Sequence, residues 1–198
     1  MRMNIGLTGG MGCGKSTTLR LFGERGWDVF EADACVRSLL AEDPEVREAV
    51  AEGFGHEVMA NDGTVDRAAL ARIVFAHSSK LDQLEAILHP RVRAAWQRKL
   101  NEGLARLVVE IPLLFEKSLA SLFDVTVCVA SSPSVQQKRL RERGLEDDQI
   151  QQRLARQWPL TRKMEAADHV LLNDGSLAHL ESQIDFLVCQ WKLPSPSS

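Results

Sequence analysis

The chain has 198 residues, 44% of them hydrophobic and 26% charged, with a formal net charge of −3. That length can bury a core without disulfide or metal staples, and the faintly acidic balance argues against a nucleic-acid partner. Cys13, Cys35, Cys128 and Cys189 stand far apart with no CxxC pair, which argues against a zinc site or disulfide framework and fits a reducing, cytoplasmic setting. The opening residues run straight into a strand-like segment without a signal peptide, and no apolar run approaches the roughly 18 residues of a membrane span, so no membrane partner is expected.

In chain order, residues 4–8 read as a buried strand, followed by a Gly-rich loop over 9–16 and an amphipathic helix over 15–25 with Leu19 and Phe22 as apolar positions. A second strand is predicted over 27–31. About 75 residues, mostly helical in pattern, then precede the third strand, far more than a simple crossover connection needs. They read as a helical insertion over 34–104 that could form one wall of an acceptor site. Within it, a helix over 44–54 opens with Asp43 as N-cap and Pro44 at its first position. Leu81, Leu84 and Leu88 keep a helical stripe, and Pro90 is expected to break or restart that helix. Trp96, between Val92 and Leu100, reads as core.

Strands are predicted over 107–111, 125–130 and 170–172, each short and rich in Val, Ile or Leu, as suits a parallel sheet covered on both faces. A helix over 133–143 repeats the capping device with Ser132 and Pro133. Residues 138–163 form an irregular stretch with eight basic and four acidic side chains, net +4 in an acidic chain. A phosphate ligand accounts for such a patch; the plainer account is a solvated helical face. A final helix places Leu177, Leu180, Ile184, Leu187, Val188 and Trp191 on one face. Residues 193–198 are expected to be a disordered polar tail. Alternation of strands and helices predicts an α/β fold, a doubly wound parallel five-stranded sheet of the P-loop NTPase-like kind, as one domain over 1–192.

The loop Gly9-Gly10-Met11-Gly12-Cys13-Gly14-Lys15-Ser16 matches G-x-x-x-x-G-K-[ST] at every fixed position. Glycines let successive backbone N–H groups turn inward onto phosphate oxygens. Lys15 supplies a charge for the β- and γ-phosphates, Ser16 a hydroxyl for Mg²⁺, and the helix start its positive dipole end. The preceding strand and following helix make an incidental glycine turn a poor account, so ATP and Mg²⁺ are expected ligands. Cys13, beside a helix N-terminus, could carry a lowered pKa; a small space-filling role is the favoured reading. Ligands in doubly wound sheets bind at the carboxyl ends of the strands. There the second strand ends in Glu31-Ala32-Asp33 and the third in Glu110-Ile111-Pro112. One such carboxylate could deprotonate or orient an acceptor hydroxyl and another hold the metal; Asp33 could also merely cap a helix.

These residues, taken together, resemble the dephospho-coenzyme A kinase family over almost the whole chain. The opening from Gly6 to Thr17 looks like the family's opening, and Ala32-Asp33 like the second half of its D-A-D motif. Leu88-His89-Pro90 with Arg93 resembles L-H-P-x-[VI]-R, and Pro112-Leu113-Leu114-Phe115-Glu116 resembles D-[VI]-P-L-L-[FV]-E. Residues 136–143 and 153–157 are similar to its arginine-bearing lid, and Ala167-Asp168-His169-Val170 with Asn173 and Gly175 to A-D-x-V-x-x-N-x-G. The phosphate loop is generic to many kinases; the later motifs in this order and spacing are specific. Glu31 and Glu110 depart from the Asp usual at both positions.

The resemblance implies phosphorylation of the ribose 3′-hydroxyl of dephospho-CoA by ATP, the last step of coenzyme A synthesis. It implies an acceptor region near 34–104 and a lid near 138–163. Asp33 becomes the base, with Lys15 and Arg139 also catalytic. Gly9, Gly10, Gly12, Cys13, Gly14, Lys15, Ser16, Thr17, Arg139, Arg143, Asn173 and Gly175 become the nucleotide site. Asp33, His89, Arg93, Pro112, Leu113, Leu114 and Glu116 become the acceptor site, and Ser16 and Glu110 the Mg²⁺ ligands. His89 by spacing alone reads equally as an acceptor contact or a helix end, and the family motif favours the first. Trp158 either stacks on a base or closes the lid hinge. A monomer or weak homo-oligomer is expected. The alternatives are a kinase of another small metabolite or nucleoside monophosphate and a nucleotide switch; the chain lacks the N-K-x-D motif a guanine-reading switch requires.

Overall fold

Among residues 2–191, which the computed structural model describes, the chain opens with strand β1 (Met3–Gly9), buried along its whole length. Helix α1 (Lys15–Glu24) comes after the loop, then strand β2 (Asp28–Phe30). Helices α2 (Ala32–Glu42), α3 (Pro44–Phe54), α4 (Arg67–Ala76) and α5 (Ser78–Asn101) come next. The remainder is β3 (Arg106–Glu110), β4 (Val125–Ala130), α6 (Pro133–Glu142), α7 (Asp147–Ala155), α8 (Leu160–Ala166), β5 (His169–Leu172) and α9 (Leu177–Gln190). The tail expected to be disordered, 193–198, lies outside the described residues.

The sheet is five-stranded, ordered β2-β3-β1-β4-β5, and every pairing is parallel. This is the expected doubly wound α/β architecture. The chain leaves β1 towards β2 on one side and leaves neighbouring β3 towards β4 on the other. Connections that diverge between neighbours open a crevice at the carboxyl ends of the strands. Strand β2 is separated from β1 by β3, so the third strand, not the second, flanks the phosphate loop.

The chain divides into two compact units, Ala32–Glu102 and the rest. In the sheet unit, Ile5 and Leu7 point into a core shared with Leu19, Phe22, Leu180 and Ile184. Each such fully buried side chain contributes about 1.5–3 kcal/mol. The intervening Gly6 leaves room on the opposite face: a Cβ there would stand 2.9 Å from Phe123 and 3.2 Å from Leu114. Strands β4 and β5 are also tied through side chains, because Asp168 Oδ2 accepts from both the amide and the hydroxyl of Thr126 at 2.7 Å. These bonds, the hydroxyl's foremost, hold the Asp168 carboxyl below the usual carboxylate range against the opposing effect of burial.

The helical unit has its own core, built from Leu40, Val46, Val50, Phe54, Leu70, Val74 and Leu88. Asp43 caps α3 by accepting from the amides of Glu45 and Val46, as expected, and Asp66 caps α4 in the same way. One expectation fails, and another, Ser132 and Pro133 opening α6, holds in position but not in the side-chain bond. Helix α5 runs unbroken through Pro90 for 24 residues. Proline cannot donate to the carbonyl one turn earlier, but Leu81, Leu84, Ile87 and Leu88 pack on the unit's core and hold the helix together. Ser132 makes no capping bond to α6; its amide and hydroxyl turn instead to Asp174 Oδ1, at 2.7 and 3.3 Å.

Candidate active site

Residues 9–16 curl between β1 and α1 at the carboxyl edge of the sheet. Gly14 adopts φ 92°, a conformation that disfavours side chains, and a Cβ there would lie 2.2 Å from Asn173 Nδ2. Lys15 and Ser16 begin α1, so the amino end of that helix, with its positive dipole end, opens onto the loop. Lys15 Nζ donates to Gly10 O within the loop at 3.2 Å. Ser16 is exposed and Thr17 half-buried.

Three side chains from distant segments hydrogen-bond to the loop's backbone carbonyls. Asn173, just past β5, donates through Nδ2 to Cys13 O at 2.8 Å. Gln136, on α6, donates to Met11 O at 2.9 Å and contacts Cys13 Sγ at 3.1 Å. Arg139, one turn further along α6, donates to Gly12 O at 3.4 Å, to Ser131 Oγ at 3.2 Å and to Asn173 O at 2.9 Å. The guanidinium is thus held at the loop, where it can meet phosphate oxygens. Asn173 is almost wholly buried and reaches the loop backbone, so its contribution to a nucleotide site is indirect. Gly175 and Arg143 are exposed, the latter at the end of α6. Cys13 does not carry the lowered pKa considered for it: burial pushes its thiol up, against the opposing charge of Lys15. Its side chain fills space in the sheet core.

At the end of β3, Glu110 pairs in register with Leu7 of β1 and is buried. Among the described residues no three His, Cys, Asp or Glu side chains cluster as a metal cage. Mg²⁺ in phosphoryl-transfer sites needs none, since it takes one or two protein oxygens and completes its shell with phosphate and water. A buried carboxylate at the strand end and an exposed hydroxyl opening α1 fit that donor set.

The turn after β3 holds Pro112 and Leu113, both half-exposed. Leu114 and Glu116, expected on the acceptor side, turn their side chains inward. Leu114 is wholly buried, filling the space beside Gly6. Glu116 turns its carboxylate inward, where Oε1 accepts from Lys163 Nζ at 2.8 Å and from the Trp158 amide at 2.9 Å. Both side chains hold the turn from within, Leu114 beside Gly6 of β1 and Glu116 on Lys163 of α8. Trp158 stacks on Phe115 at 6.3 Å between ring centroids, and the Arg162 guanidinium lies 3.5 Å from its ring centroid.

In the helical unit, Asp33 is the second residue of α2, inside the helix, and is exposed. His89 and Arg93 are four residues apart on α5 and both exposed, away from the apolar stripe, so they are neighbours on one helix face. Trp96 is buried, as expected of a core residue. The braces Gln136 and Lys163 are not evident from sequence reasoning alone. Gln136 shares an i, i+3, i+4 stripe with Arg139 and Leu140, which is a usable signal; nothing local distinguishes Lys163 from the basic residues around it.

Residues 3–179 match the family model described as dephospho-CoA kinase. A dephospho-CoA kinase of Gloeobacter violaceus is 40% identical over 185 residues, covering 93% of this chain and 90% of that protein. One from Bacillus cereus is 36% identical, with 98% and 99% covered. A crystal structure of a Thermus thermophilus protein superposes with a TM-score of 0.76 at 34% identity, covering 97% of this chain and 99% of the other.

Proposed function

The chain belongs to the dephospho-CoA kinase family, and from that premise we propose that it transfers the γ-phosphoryl group of ATP to the ribose 3′-hydroxyl of dephospho-CoA, giving coenzyme A and ADP. The observation that carries this reading is the phosphate loop at the carboxyl edge of a parallel sheet, with Arg139 docked against Gly12 O and the buried Glu110 at the end of the neighbouring strand.

Phosphoryl transfer asks little covalent chemistry of a protein; positioning and charge neutralisation supply most of the rate. The loop amides and Lys15 cradle the donor's β- and γ-phosphates. Arg139 neutralises charge that builds on the transferring group, with Arg143 as a second cation from the end of α6. Ser16 and Glu110 would hold Mg²⁺, which when bound screens charge on the phosphate oxygens. Asp33 accepts or orients the proton of the acceptor hydroxyl. His89 and Arg93 bind the acceptor, whose pyrophosphate suits a guanidinium partner. Pro112 and Leu113 line the acceptor turn.

The test is an acceptor screen with ATP and Mg²⁺, following ADP and identifying the product. The expected outcome is ADP formation that depends strictly on added dephospho-CoA, with coenzyme A as product. Faster turnover of adenylate, shikimate or another small alcohol would replace the acceptor while leaving the donor site intact. ADP formed equally fast without any acceptor would remove the kinase reading altogether.

A further inference from the structure

Lys163, on α8, is wholly buried. An ammonium taken out of water is costly unless it is paired and hydrogen-bonded. Its Nζ meets two acceptors on one turn, Pro112 O at 2.6 Å and Glu116 Oε1 at 2.8 Å. Pro112 has no N–H of its own, so its carbonyl is the backbone handle by which the turn can be held there. That same carbonyl accepts from Thr8 Oγ1 at 3.2 Å, one residue before the phosphate loop begins. Glu116 Oε1 also receives the Trp158 amide, which ties in the residue two positions before α8. One cation therefore joins the end of β1, the 112–116 turn and the start of α8.

Stability alone is a weak reason for this arrangement. Replacing a buried ion pair by apolar groups of similar size is often neutral or stabilising. What apolar groups cannot do is draw Pro112 O and a side chain four residues later onto a single point. We propose that Lys163 is a positioning residue of the reaction: by gathering Pro112 O and Glu116 it sets the conformation in which the 112–116 turn meets the phosphoryl acceptor. This rests on the reading that the turn lies on the acceptor side.

The experiment uses the full chain, with Lys163→Met and the double variant Lys163→Met/Glu116→Gln. Lys163→Met alone leaves the Glu116 carboxylate buried without its cation and is expected to lower Tm sharply. The double variant removes that charge and is expected to recover most of the Tm. In both, KM for dephospho-CoA should rise about 10-fold, the effect of losing about 1.4 kcal/mol of acceptor binding, while KM for ATP stays within about threefold. Acceptor KM returning to the wild-type value together with Tm in the double variant would overturn the proposal, leaving a packing role. An equal rise in KM for ATP would overturn it too, assigning the network to the phosphate loop. Failure of the double variant to fold would make the pair a stability element and likewise overturn it. Wild-type enzyme that ignores dephospho-CoA but phosphorylates another alcohol would sink the acceptor assignment instead, and the same KM comparison with that alcohol would still decide the role of Lys163.

Discussion

Asp33 and Lys15 carry different parts of the proposed reaction, and a conservative change separates them. Asp33→Asn keeps the shape of an exposed side chain in the first turn of α2, so folding should be untouched. It removes the group proposed to take the acceptor proton, so kcat should fall about 10²-fold or more, the range of a lost general base. KM for ATP should hold. Steady-state kinetics decide it: a matching loss of ATP affinity would put Asp33 among the metal ligands, and unchanged kcat would leave it without a role in transfer. At this scale the site is legible where chemistry dictates residue type. Gly14, Lys15 and Ser16 stand at the fixed spacing of G-x-x-x-x-G-K-[ST], in which a flexible backbone, an ammonium and a hydroxyl each have their own proposed part. The pairing of Glu116 with Lys163 is not legible in the sequence, because its motif says that a carboxylate is present and not which way it points.

The elements hold together through bonds that cross from one to the next. Strands β4 and β5 are pinned by Asp168 on Thr126, at the opposite end from the Ala130↔Leu172 pairing that leads to Asn173. The Asp168 carboxyl titrates below its usual range in the folded chain, so its contribution is complete above the unfolded value near ~3.9 and is lost as pH falls from there through the folded value. Asp168→Asn keeps an acceptor but loses the charge. Because the side chain is exposed and its charge is screened, it should cost no more than about 1 kcal/mol at neutral pH, roughly 2–4 °C in Tm at most for a chain of this size. The gap between wild type and variant should close as pH drops below ~4. Thermal melts of both proteins from neutral to acid pH check this, and a gap independent of pH would show that the charge does not matter. The central strands β1, β3 and β4 are readable from sequence because they are continuous apolar runs buried in the sheet, whereas the edge strand β2 is largely exposed and the stretch read as irregular over 138–163 holds α7 and the start of α8. Pro90 in α5 and Ser132 before α6 show the limit: local propensity yields when an apolar stripe has a core to meet or a hydroxyl has a nearer carboxylate.

Ligand binding to the native chain raises the stability of the molecule as a whole. ATP with Mg²⁺ at about 100 times Kd should add about 2.7 kcal/mol. For a chain of this length that is a rise of roughly 5–10 °C in Tm. Lys15→Ala should melt near the wild-type temperature without ligand, because the Nζ bond to Gly10 O is a local one within the loop. It should lose most of the ATP-induced shift. A full shift in Lys15→Ala, read by calorimetry, would take Lys15 out of nucleotide binding. By itself the sequence determined the five strands in chain order, the sheet class, the phosphate loop and the family, because periodicity, glycine spacing and motif order are properties of neighbouring residues. Only the tertiary structure decided that β3 rather than β2 flanks β1, that Gln136 and Asn173 brace the loop, and that Lys163 and Glu116 pair in the interior. Those contacts join residues 47 to 160 positions apart along the chain. Strand order and buried pairing are set by which surfaces exclude water together, and that is a property of the folded chain rather than of any stretch of it.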